Sequence, residues 1–90
     1  MISRLHPHFL RDFAKLPEDI RERARDAYRR FKLDPTHPGL RFKRLSTELP
    51  LWSVRVNDQY RAVGVRTDAD EVIWFFIGTH AEYERLLKTL

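Results

Sequence analysis

The apolar positions change period once along the chain, and that change separates a helical half from a strand half. In PHFLRDFAKLP, Phe9, Phe13 and Leu16 recur at i, i+4 and i+7, one face of a helix. Pro7 suits its first turn, where the missing N–H would be unsatisfied anyway, and Pro17 marks its end. PEDIRERARDAYRRFKL resumes the helical period. Ile20, Ala24, Ala27 and Phe31 form its apolar stripe, with Tyr28 alongside. Glu18 and Asp19 fall in the first turn, where the helix dipole favours negative charge. The arginines between the stripe positions fall on the solvated face. Two helices joined by so short a connection pack as an antiparallel hairpin.

DPTHPGL, with two prolines and a glycine, cannot continue a helix. Beyond it the period is two. LRFKRL predicts a strand with Leu40 and Phe42 on one side and Arg41 and Lys43 on the other. LWSVRVN alternates Trp52, Val54 and Val56 against Ser53 and Arg55, and YRAVGVR alternates Tyr60, Ala62 and Gly64 against Arg61, Val63 and Val65. EVIWFFIG is apolar on both faces, which predicts a central strand covered on both sides. HAEYERLLKTL places Tyr83, Leu86, Leu87 and Leu90 on one stripe of a last helix. The order α-α-β-β-β-β-α predicts an α+β fold: an N-terminal helical hairpin packed on an antiparallel four-stranded sheet, with a C-terminal helix. Its 90 residues make one domain, 1–90.

Composition narrows the classes. With no cysteine, a disulfide framework and a thiolate metal site are both excluded. No apolar run approaches the roughly 20 residues that span a bilayer, and MISRLHPHFL lacks the apolar stretch of a signal peptide. The expected location is cytoplasmic, without membrane association. The net charge of +4 is unevenly spread. Residues 35–66 hold Arg41, Lys43, Arg44, Arg55, Arg61 and Arg66 against only Glu48 and Asp58. A polyanion such as nucleic acid suits that middle third; so does an ordinary solvated basic surface.

The candidate chemistry begins at VNDQY. A three-residue loop of Asn57, Asp58 and Gln59 pairs Val54 with Ala62 and keeps both apolar sets on one face. The same register sets Arg55 directly opposite Arg61, a repulsive pair. A two-residue loop would avoid it but would split the apolar faces, and burying one aliphatic side chain is worth roughly 1.5–3 kcal/mol. The opposed arginines therefore imply either an anion held between them, with Lys43 joining the patch, or a carboxylate for each, from Glu48 or Asp58. THAE reads as a capping box, with Thr79 at the N-cap and Glu82 three residues on. His80 is then the first helical residue, beside the positive end of the dipole, which disfavours a second positive charge there. A neutral imidazole can accept a proton; a histidine so placed is otherwise a plain surface residue. Tyr83 is either a core residue or a base-stacking one. Tyr60, Trp52 and Trp74 are assigned to packing. No glycine-rich phosphate loop, HExxH or nucleophile elbow is present, and the expectation is that neither a metal nor a cofactor is used. RNA carries its own nucleophile, the 2′-OH, so cleavage needs only a base, an acid and cations around the phosphorane.

DPTHPGLRFKRL, WSVRVNDQYRAVGV and WFFIGTHAEYERLL, taken in order, resemble the RelE/ParE superfamily of bacterial type II toxin–antitoxin toxins, the ParE-like branch most closely. The resemblance covers nearly the whole chain from Phe9. It implies one of two actions. RelE-like members enter the ribosomal A site and cleave mRNA through the 2′-OH; ParE-like members poison DNA gyrase without catalysis. Arg55 falls on a basic position of the RelE-type second strand, Arg61 on the arginine after the third-strand tyrosine, and His80 on a histidine that some of the nucleases carry after Gly-Thr. Tyr83 lies near a C-terminal aromatic position. The resemblance thus implies His80, Arg61, Arg55 and Tyr83 as catalytic residues of a ribosome-dependent mRNA endoribonuclease. Lys43, Arg41 and Arg44 would steer RNA. It also implies a cognate antitoxin, acidic in its binding segment, and a toxin–antitoxin hetero-oligomer. A gyrase inhibitor and a non-toxic interaction module are the alternatives. Two features depart from the pattern: Ser53 stands where RelE has a second lysine, and the short N-terminus leaves little room for the usual leading strand.

Overall fold

Pro7 and Pro17 bound the first helix as their lack of an N–H requires. The computed structural model describes residues 1–90 and has α1 at Pro7–Ala14 and α2 at Glu18–Leu33. His6 caps α1, its Nδ1 accepting the His8 N–H at 3.0 Å. Pro17 stands at the start of α2, with Glu18 and Asp19 in the first turn, and the helix buries Ile20, Ala24, Ala27 and Phe31, the expected stripe. Phe9, Phe13 and Leu16 close over the same core from the α1 side.

The sheet has five strands rather than four, in the order β1-β5-β4-β3-β2. The addition is β1, Ile2–Leu5, ahead of α1. It runs parallel to β5 (Glu71–Thr79), pairing Ser3 with Val72 and Leu5 with Trp74. The N-terminus does have room for a leading strand. Nothing in its pattern announces one, because only Ser3 of the four residues is even half-buried. What holds it is remote: ladder hydrogen bonds to β5, the Trp74 indole N–H donating to Ser3 Oγ at 2.9 Å, and an ion pair from Arg4 Nε to Glu71 Oε2 at 2.6 Å.

At the other edge, β2 shrinks to Lys43–Arg44. Pro38–Leu40 form a turn of 3₁₀ helix and Arg41 takes a left-handed conformation, φ 47°. Leu40 and Phe42 still reach the core, as their alternation requires. The remaining strands, β3 (Leu51–Arg55) and β4 (Tyr60–Thr67), form an antiparallel meander with β5. A bulge lets Val63 pair with Phe76 and Gly64 with Trp74, so Phe75 is the extra residue. The bulge puts Ile77 on the same face as Val72 and Trp74 and explains how one apolar run serves two cores.

One face of the sheet packs on α1 and α2. There Trp74, 2% exposed, meets Phe31 edge-on at 5.3 Å between ring centroids, while Trp52 lies against Phe42 at 4.7 Å. Tyr60 is only half-buried, at the end of this face. The opposite face packs on α3, His80–Thr89, where Leu51, Val63 and Tyr83 form a smaller core bordered by Phe76, Leu86 and Leu87. No helix is long and apolar enough to cross a membrane.

Candidate nucleic-acid interface at the hairpin end of the sheet

The loop after β3 is built by Asn57. Its side-chain oxygen accepts the N–H groups of Gln59 and Tyr60, both at 2.9 Å, and Val56 N–H closes the turn on Tyr60 O at 3.0 Å. The register is the expected one, Val54 with Ala62 and Arg55 with Arg61. Parity along β3 and β4 puts these arginines on the α3 face with Ser53 and Val63. Lys43 pairs with Ser53 and so joins that face, exposed and free of any acidic partner.

The two guanidinium groups separate. Arg55 forms an ion pair with Asp58, the carboxylate alternative raised by the loop sequence. Arg61 Nη1 donates to the carbonyls of Asn57, at 2.6 Å, and Tyr60, at 3.0 Å, and has no carboxylate. The like-charge pairing is therefore relieved by internal partners, one ionic and one dipolar, with Arg61 keeping its net charge uncompensated. Asp58 is 87% exposed, so its pair with Arg55 is worth about 0–1 kcal/mol and exchanges readily for another anion.

β5 carries His80 to the same end. Gly78 pairs with Arg61 and Thr79 with Tyr60, and the His80 N–H donates to Gln59 O at 2.6 Å. The capping box forms as the sequence predicts: Thr79 Oγ1 accepts Glu82 N–H at 3.2 Å, and Glu82 Oε1 accepts Thr79 N–H at 2.9 Å. That backbone hydrogen bond, with help from the Thr79 hydroxyl, holds the Glu82 carboxyl below its ordinary range against a smaller opposing effect of burial. The His80 ring lies 5.8 Å from the Tyr83 ring, and its Nε2 lies 3.1 Å from Glu84 Oε1. Glu84 is a neighbour of His80 that the sequence pattern did not single out. Its signal was present in HAEYE, since residues four apart share a helix face.

Of the residues singled out from sequence, Arg61 pairs with Gly78, two residues before His80, and Tyr83 follows His80 on the first turn of α3. Tyr83 is a core residue, 6% exposed. Arg44 turns away from solvent work: its Nε and Nη2 donate to the carbonyls of Ser46, at 2.6 Å, and Thr47, at 3.3 Å, bracing the β2–β3 connection. Arg41 is exposed at the opposite edge. No group of three His, Asp or Glu side chains is arranged to hold a metal ion.

A family model described as a ParE-like toxin domain matches residues 18–85. No curated protein matches in sequence. Among solved structures, the RelBE2 toxin–antitoxin complex of Mycobacterium tuberculosis contains a chain of the same fold, with a TM-score of 0.69 at 22% identity, covering 88% of this chain and 96% of that one. The RelB–RelE complex of Methanococcus jannaschii gives 0.72 at 14% identity, over 92% and 96%. The YoeB/ParE toxin of Agrobacterium tumefaciens gives 0.68 at 16% identity, over 89% and 99%.

Proposed function

This chain belongs to the ParE-like toxin family of the RelE/ParE superfamily, and we propose that it acts as a ribosome-dependent mRNA endoribonuclease held in check by an antitoxin. The observation that supports this reading is the His80–Glu84 pair at the start of α3, directly after the stretch of β5 that pairs with Arg61. A carboxylate beside one imidazole nitrogen can orient the ring and leave the other nitrogen for the substrate, the arrangement a general base needs. In the proposed reaction the 2′-oxygen attacks the adjacent phosphorus and His80 takes its proton. The bond from phosphorus to the 5′-oxygen breaks, the 5′-oxygen leaves taking a proton from water, a 2′,3′-cyclic phosphate remains, and His80 returns its proton to solvent. Arg61 neutralises charge gathering on the phosphorane, and Arg55 joins it on release from Asp58. Lys43 and Arg41 draw the RNA in; Tyr83 seats the His80 ring.

A toxin–antitoxin complex is the state of the M. tuberculosis and M. jannaschii relatives. By analogy, a small acidic segment encoded beside this chain covers the basic face, and the two should co-purify. The test of the activity is in vitro translation followed by primer extension on the message. Breaks that need both ribosomes and His80 support the proposal.

The description of the matched family as ParE-like favours a second reading, a gyrase inhibitor without catalysis. Inhibited supercoiling with an intact message would select it. Undisturbed growth during expression would select a non-toxic interaction module.

A further inference from the structure

The arginines of α2 are not equivalent. Arg21 pairs with Glu18, Arg25 with Glu18 and Glu22, and Arg29 with Asp26. Arg23 and Arg30 have no acidic partner. They stand seven residues apart, two turns along one face of the helix. Both border a cleft of about 280 Å³ that Gly39, Leu40, Arg55 and Val56 also line. Three arginines on three separate turns of chain thus border one space: Arg23 and Arg30 have no carboxylate, Arg55 is held only by the exposed Asp58, and the one acid on the wall, Asp26, is committed to Arg29. A guanidinium presents paired N–H donors that match phosphate oxygens, and an uncompensated cluster of them attracts polyanions.

Arg55 is the link. Its backbone pairs with Arg61 at the hairpin end, and the residue also borders the α2 cleft. We infer that the Arg23–Arg30–Arg55 cleft binds the phosphodiester backbone of a nucleic-acid strand that continues past the hairpin from the His80–Arg61 end. The inference takes the ligand class from the proposed function but does not depend on cleavage. Arg23 and Arg30 touch no reacting atom and serve only to hold the strand.

The test is binding of a fluorescent single-stranded RNA oligonucleotide to the full chain carrying His80→Ala, which removes cleavage from the readout. Adding Arg23→Ala and Arg30→Ala is expected to weaken binding about tenfold or more near 0.1 M salt. It should also flatten the slope of log K against log salt by roughly 0.7 for each phosphate that is no longer neutralised. Arg25→Ala with Arg29→Ala removes the same formal charge from the same helix and should change binding far less. The pair Arg23→Gln and Arg30→Gln, at exposed positions, guards against a folding artefact and should match the alanine pair. Equal losses from both pairs of arginines, or no loss from Arg23 and Arg30, would overturn the inference. So would unchanged RNA binding accompanied by failure to co-purify with the antitoxin, which would assign the cleft to an acidic protein segment. If instead RNA binding falls as expected while the His80 protein cuts no message, the cleft stands and the nuclease reading fails.

Discussion

His80 Nε2 and Glu84 Oε1 lie 3.1 Å apart on adjacent turns of α3, each side chain about half exposed at 53% and 52%. For stability such a surface pair contributes little, about 0–1 kcal/mol. Its consequence is orientation. With Nε2 beside Glu84, Nδ1 is the nitrogen left free for the proposed reaction, in which Arg61, anchored to the Asn57 and Tyr60 carbonyls, would join it. On the proposed mechanism Glu84 is a positioning residue, so its loss should differ in kind from the loss of His80. Glu84→Gln, which still accepts a hydrogen bond, is expected to retain most cleavage. Glu84→Ala should lower kcat by roughly 10²-fold or less, the scale of a misplaced group, with KM unchanged. A rise in KM with kcat intact would show that Glu84 serves RNA binding instead.

His80→Ala and Arg61→Ala should each restore growth to cells overexpressing the chain, without altering its circular dichroism. His80 is exposed, and neither residue belongs to either apolar core. Undiminished toxicity in both variants would detach the toxic action from this end of the sheet.

The capping box gives a pH-dependent prediction. Glu82 is held below the ordinary carboxylate value of 4.5, chiefly by the Thr79 backbone N–H. A depressed carboxyl contributes stability that is present above its unfolded-state pKa and is lost as pH falls through the folded-state value. Glu82→Ala should therefore destabilise the protein by about 1 kcal/mol near neutrality, the usual worth of a helix cap. The gap from the parent protein should close as the buffer is taken below pH 4.5. Thermal melts across that range check it; a gap that widens in acid would contradict the assignment.

Gly64 sits where β4 meets the bulge. A Cβ there would come within 2.9 Å of the Ile73 carbonyl oxygen, the Trp74 ring and a Val72 methyl, all of them fixed by the core. Gly64→Ala should cost about 1–3 kcal/mol through overpacking, lowering Tm by several degrees. A neutral effect would mean that β5 can slide at the bulge.

Much of this architecture was legible because burial imposes a period. The α2 stripe from Ile20 to Phe31 is buried where the helical spacing put it. The Arg55–Arg61 register follows from keeping Val54 and Ala62 on one face. β1 was illegible for the converse reason: its residues are mostly exposed, and what holds them lies about seventy residues away in β5. The directions of the arginines were also beyond pattern. Opposed Cα positions say nothing of where a long side chain ends, and here Asp58 and two loop carbonyls decide it. Glu84 was legible from its spacing to His80, but Glu82 already accounted for the acids of the last helix.

The β1 contacts carry their own test. Ser3→Ala leaves the Trp74 indole N–H, in a ring that is 2% exposed, without its acceptor. The expected cost is about 1–3 kcal/mol, and Ser3→Thr, which restores a hydroxyl, should recover most of it in urea unfolding. Equal stability for alanine and serine would mean that the indole finds another partner and that β1 is dispensable.

The proposal that this fold cuts message is tested most directly by single-turnover cleavage of ribosome-bound mRNA. It predicts breaks only when ribosomes are present, at a rate that falls by about 10²–10⁴-fold in His80→Ala and by about 10²–10³-fold in Arg61→Ala. A message left whole by the parent protein, or cut equally fast by all three, would contradict it.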